Sequence, residues 1–315
     1  MSKKIAFVFP GQGSQAVGML AEMAAVEPVI QQTFTAASDV LGYDLWQLVQ
    51  DGPDSELNQT DKTQPVMLAA GVAMYRAWQN KADIMPAVMA GHSLGEYTAL
   101  VCAGAIPFAA AIDLVEQRGR FMQQAVPAGE GAMAAILGLD DAQVIKCCEE
   151  AAEGDIISAV NFNSPGQVVV AGTAGAVDRI TSIAKAAGAK RALVLPVSVP
   201  SHCELMLPAA EQMAPLLASV EITRPSISVI HNADVASHPS ADAIRDALLR
   251  QLYNPVRWVE SVQQIAANDI NTLVECGPGK VLAGLNKRND RSMTALSIFD
   301  PASLEKAIAT VTAEG

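Results

Sequence analysis

Gly91-His92-Ser93-Leu94-Gly95 is a G-x-S-x-G pentapeptide lying between the apolar run Ala87-Val88-Met89-Ala90 and the helix-prone stretch Glu96 to Ala103. Two glycines let the backbone turn sharply from strand to helix. The turn lifts the serine oxygen clear of the sheet and leaves the Leu94 amide beside it as an oxyanion donor. With 22 glycines in the chain, the pentapeptide alone fits a plain glycine-rich turn equally well. The strand before it and the helix after it favour a nucleophile.

The surrounding pattern supplies the sheet such a turn needs. A strand at Ile5 to Phe9 is followed by alternating helical and short apolar segments up to about Gln124, which predicts a parallel sheet covered by helices. From Gly131 the texture changes. A strand over Ala132 to Leu139, a helix over Asp141 to Ala152 and a strand over Ile156 to Asn163 lead into a Ser164-Pro165-Gly166 turn. A strand over Gln167 to Gly172, a helix over Ala174 to Ala187 and a strand over Arg191 to Val197 complete the order β-α-β-β-α-β, the ferredoxin-like unit. Its ends fall near Pro127 and Pro200. Residues 127–199 therefore read as an insertion into a larger α/β body made of 1–126 and 200–315, which resumes with a helix at Ser201 and strands near Ile227 to Ile230, Asn271 to Glu275 and Met293 to Ile298. A cleft between the two bodies follows. At 315 residues and 50% hydrophobic, the chain can bury cores of this size.

Several function classes drop out. The longest uncharged stretch, between Glu96 and Asp113, contains Gly104 and Pro107 and falls short of the roughly 20 apolar residues of a membrane span. The run after Lys3 and Lys4 stops at Pro10, too soon for a signal peptide. Five cysteines without a C-x-x-C pair suit a reducing cytoplasm, and four scattered histidines give no metal-ligand spacing. A formal charge of −12 argues against a nucleic-acid surface. Lys190 with Arg191, and Lys280 with Lys287 and Arg288, are the basic clusters on hand for an acidic partner, or are ordinary solvated surface.

A serine nucleophile needs a base. His238 lies in a polar turn and reads as surface, and His92, next to Ser93 at a tight turn, reads as structural. His231 ends an apolar strand. His202 leads it, because Ser201 and Glu204 form an S-x-x-E capping box that places His202 in the first turn of a helix from Cys203 to Leu217. There the helix dipole favours the neutral, proton-accepting ring. On a wheel of roughly 100° per residue from Ile112, Arg118 falls amid Leu114, Val115, Phe121 and Met122, whereas Glu116 and Arg120 fall on the polar side. A buried guanidinium must meet an anion, either an internal carboxylate or a ligand. A carboxylated acyl substrate satisfies both the serine and the arginine.

Two glycine-rich loops, Pro10-Gly11-Gln12-Gly13-Ser14-Gln15 and Cys276-Gly277-Pro278-Gly279-Lys280, lack a phosphate-loop ending and are not nucleotide sites; the first follows a strand, where it can lend a second oxyanion amide. Together with Gly91 to Glu96, Gln117-Arg118-Gly119, Asn161 to Pro165, the His202 region, Gln251 to Trp258 and Glu275 to Gly279, they resemble, in order from about residue 5 to 290, the malonyl-CoA:acyl carrier protein transacylases of bacterial fatty acid synthesis. The resemblance implies an α/β-hydrolase-like body with a ferredoxin-like insertion. It further implies Ser93 as nucleophile, His202 as general base, and the main-chain carbonyl of Gln251 orienting His202 in place of an aspartate. Gln12 and Leu94 would supply oxyanion amides, and Arg118 would bind the malonyl carboxylate. Malonyl-CoA and acyl carrier protein are the implied partners, with no metal and no cofactor beyond the substrate coenzyme A thioester and the carrier's phosphopantetheine. Many relatives have phenylalanine before the catalytic histidine, where this chain has Val199-Pro200-Ser201. Cys276 has no assigned role. The same serine and histidine also suit a hydrolase or thioesterase for carboxylated acyl thioesters, and a carrier-binding module without catalysis is a further alternative.

Overall fold

The computed structural model describes residues 4–197 and 199–313. Among the described residues nine strands run β1 (Ile5–Phe9), β2 (Val88–Gly91), β3 (Gly131–Leu137), β4 (Ile157–Ser164), β5 (Gln167–Thr173), β6 (Arg191–Val194), β7 (Ser228–Ile230), β8 (Thr272–Cys276) and β9 (Thr294–Ile298). They form two sheets. One is parallel, in the order β7-β2-β1-β8-β9, and the other is antiparallel, in the order β4-β5-β3-β6.

β1 is central to the parallel sheet and buried along its whole length, as expected of a strand covered by helices on both faces. Its pleat divides the core. Ile5, Phe7 and Phe9 point into one cluster, where Phe7 meets Trp78 and Tyr75 edge-on at ring distances of 5.1 and 5.7 Å. Ala6 and Val8 point into the other, with Trp258, Val262 and Ile265. The 22-residue helix Thr60–Lys81 and the helix Phe108–Ala125 cover the first face.

The antiparallel sheet buries Ala134, Ile136, Val168 and Val170 under the helices Asp141–Ala152 and Ala174–Ala186. Its opposite face, with Met133, Val169 and Ala171, packs on Cys203 and so turns toward the parallel sheet's body. Backbone hydrogen bonds from Phe162 N to Val256 O (3.0 Å) and from Val256 N to Val160 O (2.8 Å) stitch the two together. The expected strand over Arg191 to Val197 stops at Val194; Leu195 keeps one bond to Met133 O (2.9 Å), and Leu195 and Val197 line a cavity.

Candidate active site

The turn after β2 brings backbone nearly into contact with backbone. A Cβ on Gly91 would lie 1.8 Å from the Gly95 carbonyl carbon, and one on Gly95 would lie 2.1 Å from Phe9 O. No other residue fits at either position. Between them Ser93 has φ of 51°, a left-handed conformation that non-glycine residues seldom take. Asn232, just past β7, holds this strained turn from behind: its Oδ1 accepts from Ser93 N at 2.7 Å, and its Nδ2 donates to Gly91 O at 2.6 Å. Leu94 precedes the helix Gly95–Cys102, so its amide is among the N-terminal donors that a helix leaves without an internal acceptor.

Ser93 Oγ lies 2.7 Å from His202 Nε2, and His202 Nδ1 lies 2.7 Å from the main-chain carbonyl oxygen of Gln251. A carbonyl can only accept, so the ring proton sits on Nδ1 and Nε2 is left to take the serine proton. Burial, and next the positive charge of Arg118, push the ring pKa down to about 3. The expected capping box does not form. Ser201 Oγ donates to Val199 O, His202 takes φ of 67°, and the helix proper runs Leu207–Ser219 behind a short 3-10 turn. His202 owes its neutral state to desolvation and a neighbouring cation, not to a helix dipole.

Arg118 is 1% exposed, as its place on the wheel predicts. It donates from Nη1 to Gln64 Oε1 (2.8 Å), from Nη2 to Gln251 Oε1 (2.9 Å), and at 3.4 Å to Ser93 Oγ. Its guanidinium carbon stands 5.6 Å from the Tyr97 ring centroid. Among the described residues its hydrogen-bond partners are neutral, so the charge has no directly bonded carboxylate. Glu116 departs from the wheel: it is buried and pairs with Arg120 at 3.1 Å.

The other histidines separate cleanly. His92 Nε2 lies 2.8 Å from Asn163 Oδ1 and its ring packs near Trp258, a structural setting beside the nucleophile. His238 is half-buried and paired with Asp234, not bare surface. His231 is fully buried with Nδ1 on Glu96 Oε1 at 2.7 Å. Glu96 also accepts from Asn232 N (2.9 Å) and Gln251 Nε2 (2.8 Å) through Oε2, and Gln251 Nε2 reaches Ser93 O at 2.9 Å. Sequence reasoning missed Gln64, Asn232 and the Gln251 side chain; the only local signal was the polar His231-Asn232 pair closing an apolar strand.

A cavity of about 140 Å³ lies between the two sheets, with Ser93, His202 and Arg118 in its wall. Gln12 and Leu94 line it from the parallel body, and Met133, Asn161, Leu195 and Val197 from the antiparallel one. It opens at the carboxyl ends of β1 and β2, where parallel sheets bind ligands. Among the described residues there is no cluster of metal-ligating side chains.

An activated serine, a neutral histidine and a buried cation around one small chamber are the equipment of an acyltransferase. The family model described as the acyl transferase domain matches residues 6–302, and the chain belongs to that family. It is 60% identical over 305 residues, 97% of this chain and 99% of the relative, to the malonyl CoA-acyl carrier protein transacylase of Escherichia coli (strain K12). An acyl carrier protein S-malonyltransferase crystal structure from Vibrio cholerae superposes with a TM-score of 0.95 at 59% identity, covering 97% of this chain and 100% of that one. The malonyl-transacylase solved in complex with its type II PKS acyl-carrier protein gives 0.97 at 57% identity, covering 98% and 100%.

Proposed function

We propose that this protein transfers the malonyl group from malonyl-CoA to the pantetheine thiol of acyl carrier protein through a malonyl-serine intermediate. The observation that carries the reading is the buried Arg118, which has neutral partners and stands 3.4 Å from the Ser93 oxygen. A planar guanidinium there suits a free carboxylate at the far end of an acyl group. An ester or thioester without a carboxylate would leave the cation unanswered.

In the first half-reaction His202 Nε2 takes the Ser93 proton as Oγ attacks the thioester carbonyl. The Leu94 and Gln12 amides meet the oxyanion, each such donor contributing about 3 kcal/mol. The carbon–sulfur bond then breaks, and coenzyme A leaves with the proton from His202. In the second half-reaction His202 takes the proton of the carrier thiol. The thiolate attacks the malonyl ester, and Ser93 recovers its proton. The Gln251 carbonyl orients the ring throughout. Side chains and backbone carry every step, and coenzyme A and pantetheine belong to the substrates.

The strand order β4-β5-β3-β6, with two helices on one face, supports reading 127–199 as a ferredoxin-like insertion. The parallel sheet with its elbow supports an α/β-hydrolase-like body of 1–126 and 200–315. One arginine of each basic cluster approaches the other across that insertion: Arg288 donates to Gln167 Oε1, and Gln167 and Arg191 flank Leu137 in the same register. This gives an acidic carrier a local positive landing site on an acidic enzyme.

The test is incubation with labelled malonyl-CoA, with and without holo carrier protein. Label is expected on a Ser93 peptide without the carrier and on the carrier's thiol with it. Rapid release of free malonate without the carrier means a hydrolase, and no label on Ser93 means a binding module.

A further inference from the structure

Resting on that reading, we infer that Glu96 is a positioning residue for malonyl recognition, acting through the side-chain amide of Gln251 on Arg118. Glu96, His231, Asn232 and Gln251 are all completely buried. A primary amide has two unlike ends, an accepting oxygen and a donating NH₂. Gln251 Nε2 faces Ser93 O at 2.9 Å and Glu96 Oε2 at 2.8 Å, two acceptors, so only the NH₂ end fits there. Oε1 must then face the other way, where it receives Arg118 Nη2 at 2.9 Å. A flipped amide would set oxygen against two acceptors and NH₂ against a guanidinium that has no acceptor to give. Glu96 supplies one of the two contacts that forbid the flip, and the Arg118 hand it thereby fixes is the one that reaches Ser93 Oγ. The Gln251 backbone carbonyl holds His202 separately. Loss of the Glu96 contact therefore disturbs the carboxylate site more than the base.

The geometry makes opposite predictions for two conservative changes. In Glu96→Gln the fixed donor Asn232 N demands an oxygen where Oε2 stood, and that oxygen still receives Gln251 Nε2. The new NH₂ faces His231 Nδ1, which accepts once its proton moves to Nε2. In Glu96→Asp the charge stays but the carboxylate withdraws by about one carbon–carbon bond, ~1.5 Å, and the Gln251 contact is lost.

The experiment compares kcat/KM for malonyl-CoA and acetyl-CoA in the full-length wild type and both variants, with thermal unfolding to verify folding. Expected is a malonyl-to-acetyl ratio reduced at least about 5-fold in Glu96→Asp and held within about 2-fold in Glu96→Gln. An unchanged ratio in Glu96→Asp, or a parallel loss of both substrates in both variants, would overturn the inference. So would the reverse pattern, because it would make charge and not amide orientation the cause. Should Glu96→Asp not fold, Gln251→Met keeps the carbonyl on His202 and removes the side-chain amide together with its contacts to Glu96, Arg118 and Ser93 O. It must give the same selective loss of malonyl transfer, and parallel loss there also overturns the proposal. A wild type that fails to load malonyl would defeat the proposed function itself, a result distinct from a working wild type whose variants keep their ratio.

Discussion

Two buried histidines approach the nucleophile turn, and they have opposite partners. His231 has what a catalytic triad would lead one to seek, a carboxylate at 2.7 Å, yet it is walled in beneath the turn and faces Glu96. His202 has only a carbonyl, yet its other nitrogen meets Ser93 Oγ in the cavity wall. A carboxylate partner holds a ring in place and favours its charged form; a carbonyl holds it without adding charge. In a desolvated chamber that already contains Arg118, the second arrangement keeps the base neutral and ready. The lesson is that position relative to the serine, and not the strength of the partner, decides which histidine works.

The serine stands between the two rings, and its removal has the largest effect. Ser93→Ala is expected to lower malonyl transfer by about 10⁴-fold or more and to abolish the labelled peptide. Next comes the pair itself. His202→Ala should lower the rate by about 10³- to 10⁴-fold with little loss of stability. His231→Ala should change the rate by less than about 10-fold while costing about 1–3 kcal/mol of stability, because Glu96 loses a buried partner. Chemical denaturation beside steady-state kinetics separates the two, and equal rate losses would erase the contrast. Arg118→Ala should lower malonyl transfer by about 10²-fold or more and spare acetyl transfer, since only the former loses a charge-assisted contact; equal losses would make the arginine structural.

His202 binds its proton near pH 3 in the folded chain and near 6.5 when unfolded. Between these values unfolding takes up a proton, so the stability linked to this ring is complete above 6.5 and is lost as pH falls toward 3. Malonyl loading should accordingly show no acid limb centred near 6.5, and a limb there would mean that the ring is not desolvated. The smallest effect concerns docking. Raised salt should weaken carrier-protein transfer through its KM while leaving loading from malonyl-CoA unchanged. A rate that climbs with ionic strength would show that net repulsion outweighs the Arg191 and Arg288 patch.

Much of this was legible in the sequence where interactions are local. The strand Ile5–Phe9 and the helix Asp141–Ala152 fall where apolar runs and turn residues put them, and Arg118 lies on the buried face that its helical period assigned. Glu116 broke the same wheel because Lys62, from the neighbouring helix, joins its same-helix neighbour Arg120 in answering a charge that has turned inward. The Ser201 capping box failed because the chain there must turn, with His202 at positive φ, to deliver its ring to Ser93. Asn232 and the Gln251 amide lay beyond reach for another reason. Their contacts with the nucleophile turn bridge well over a hundred residues, and no periodicity in one chain encodes such a pairing.

The cavity wall has two owners, and this bears on how such a protein can be altered. The serine, histidine and arginine belong to the parallel body, whereas Met133, Leu195 and Val197 come from the antiparallel one. Part of the chamber's apolar lining and its bond-making machinery are thus written in separate stretches of the gene. Substitutions at the three apolar positions can enlarge the space for a branched or longer acyl group without touching the residues that make and break the ester.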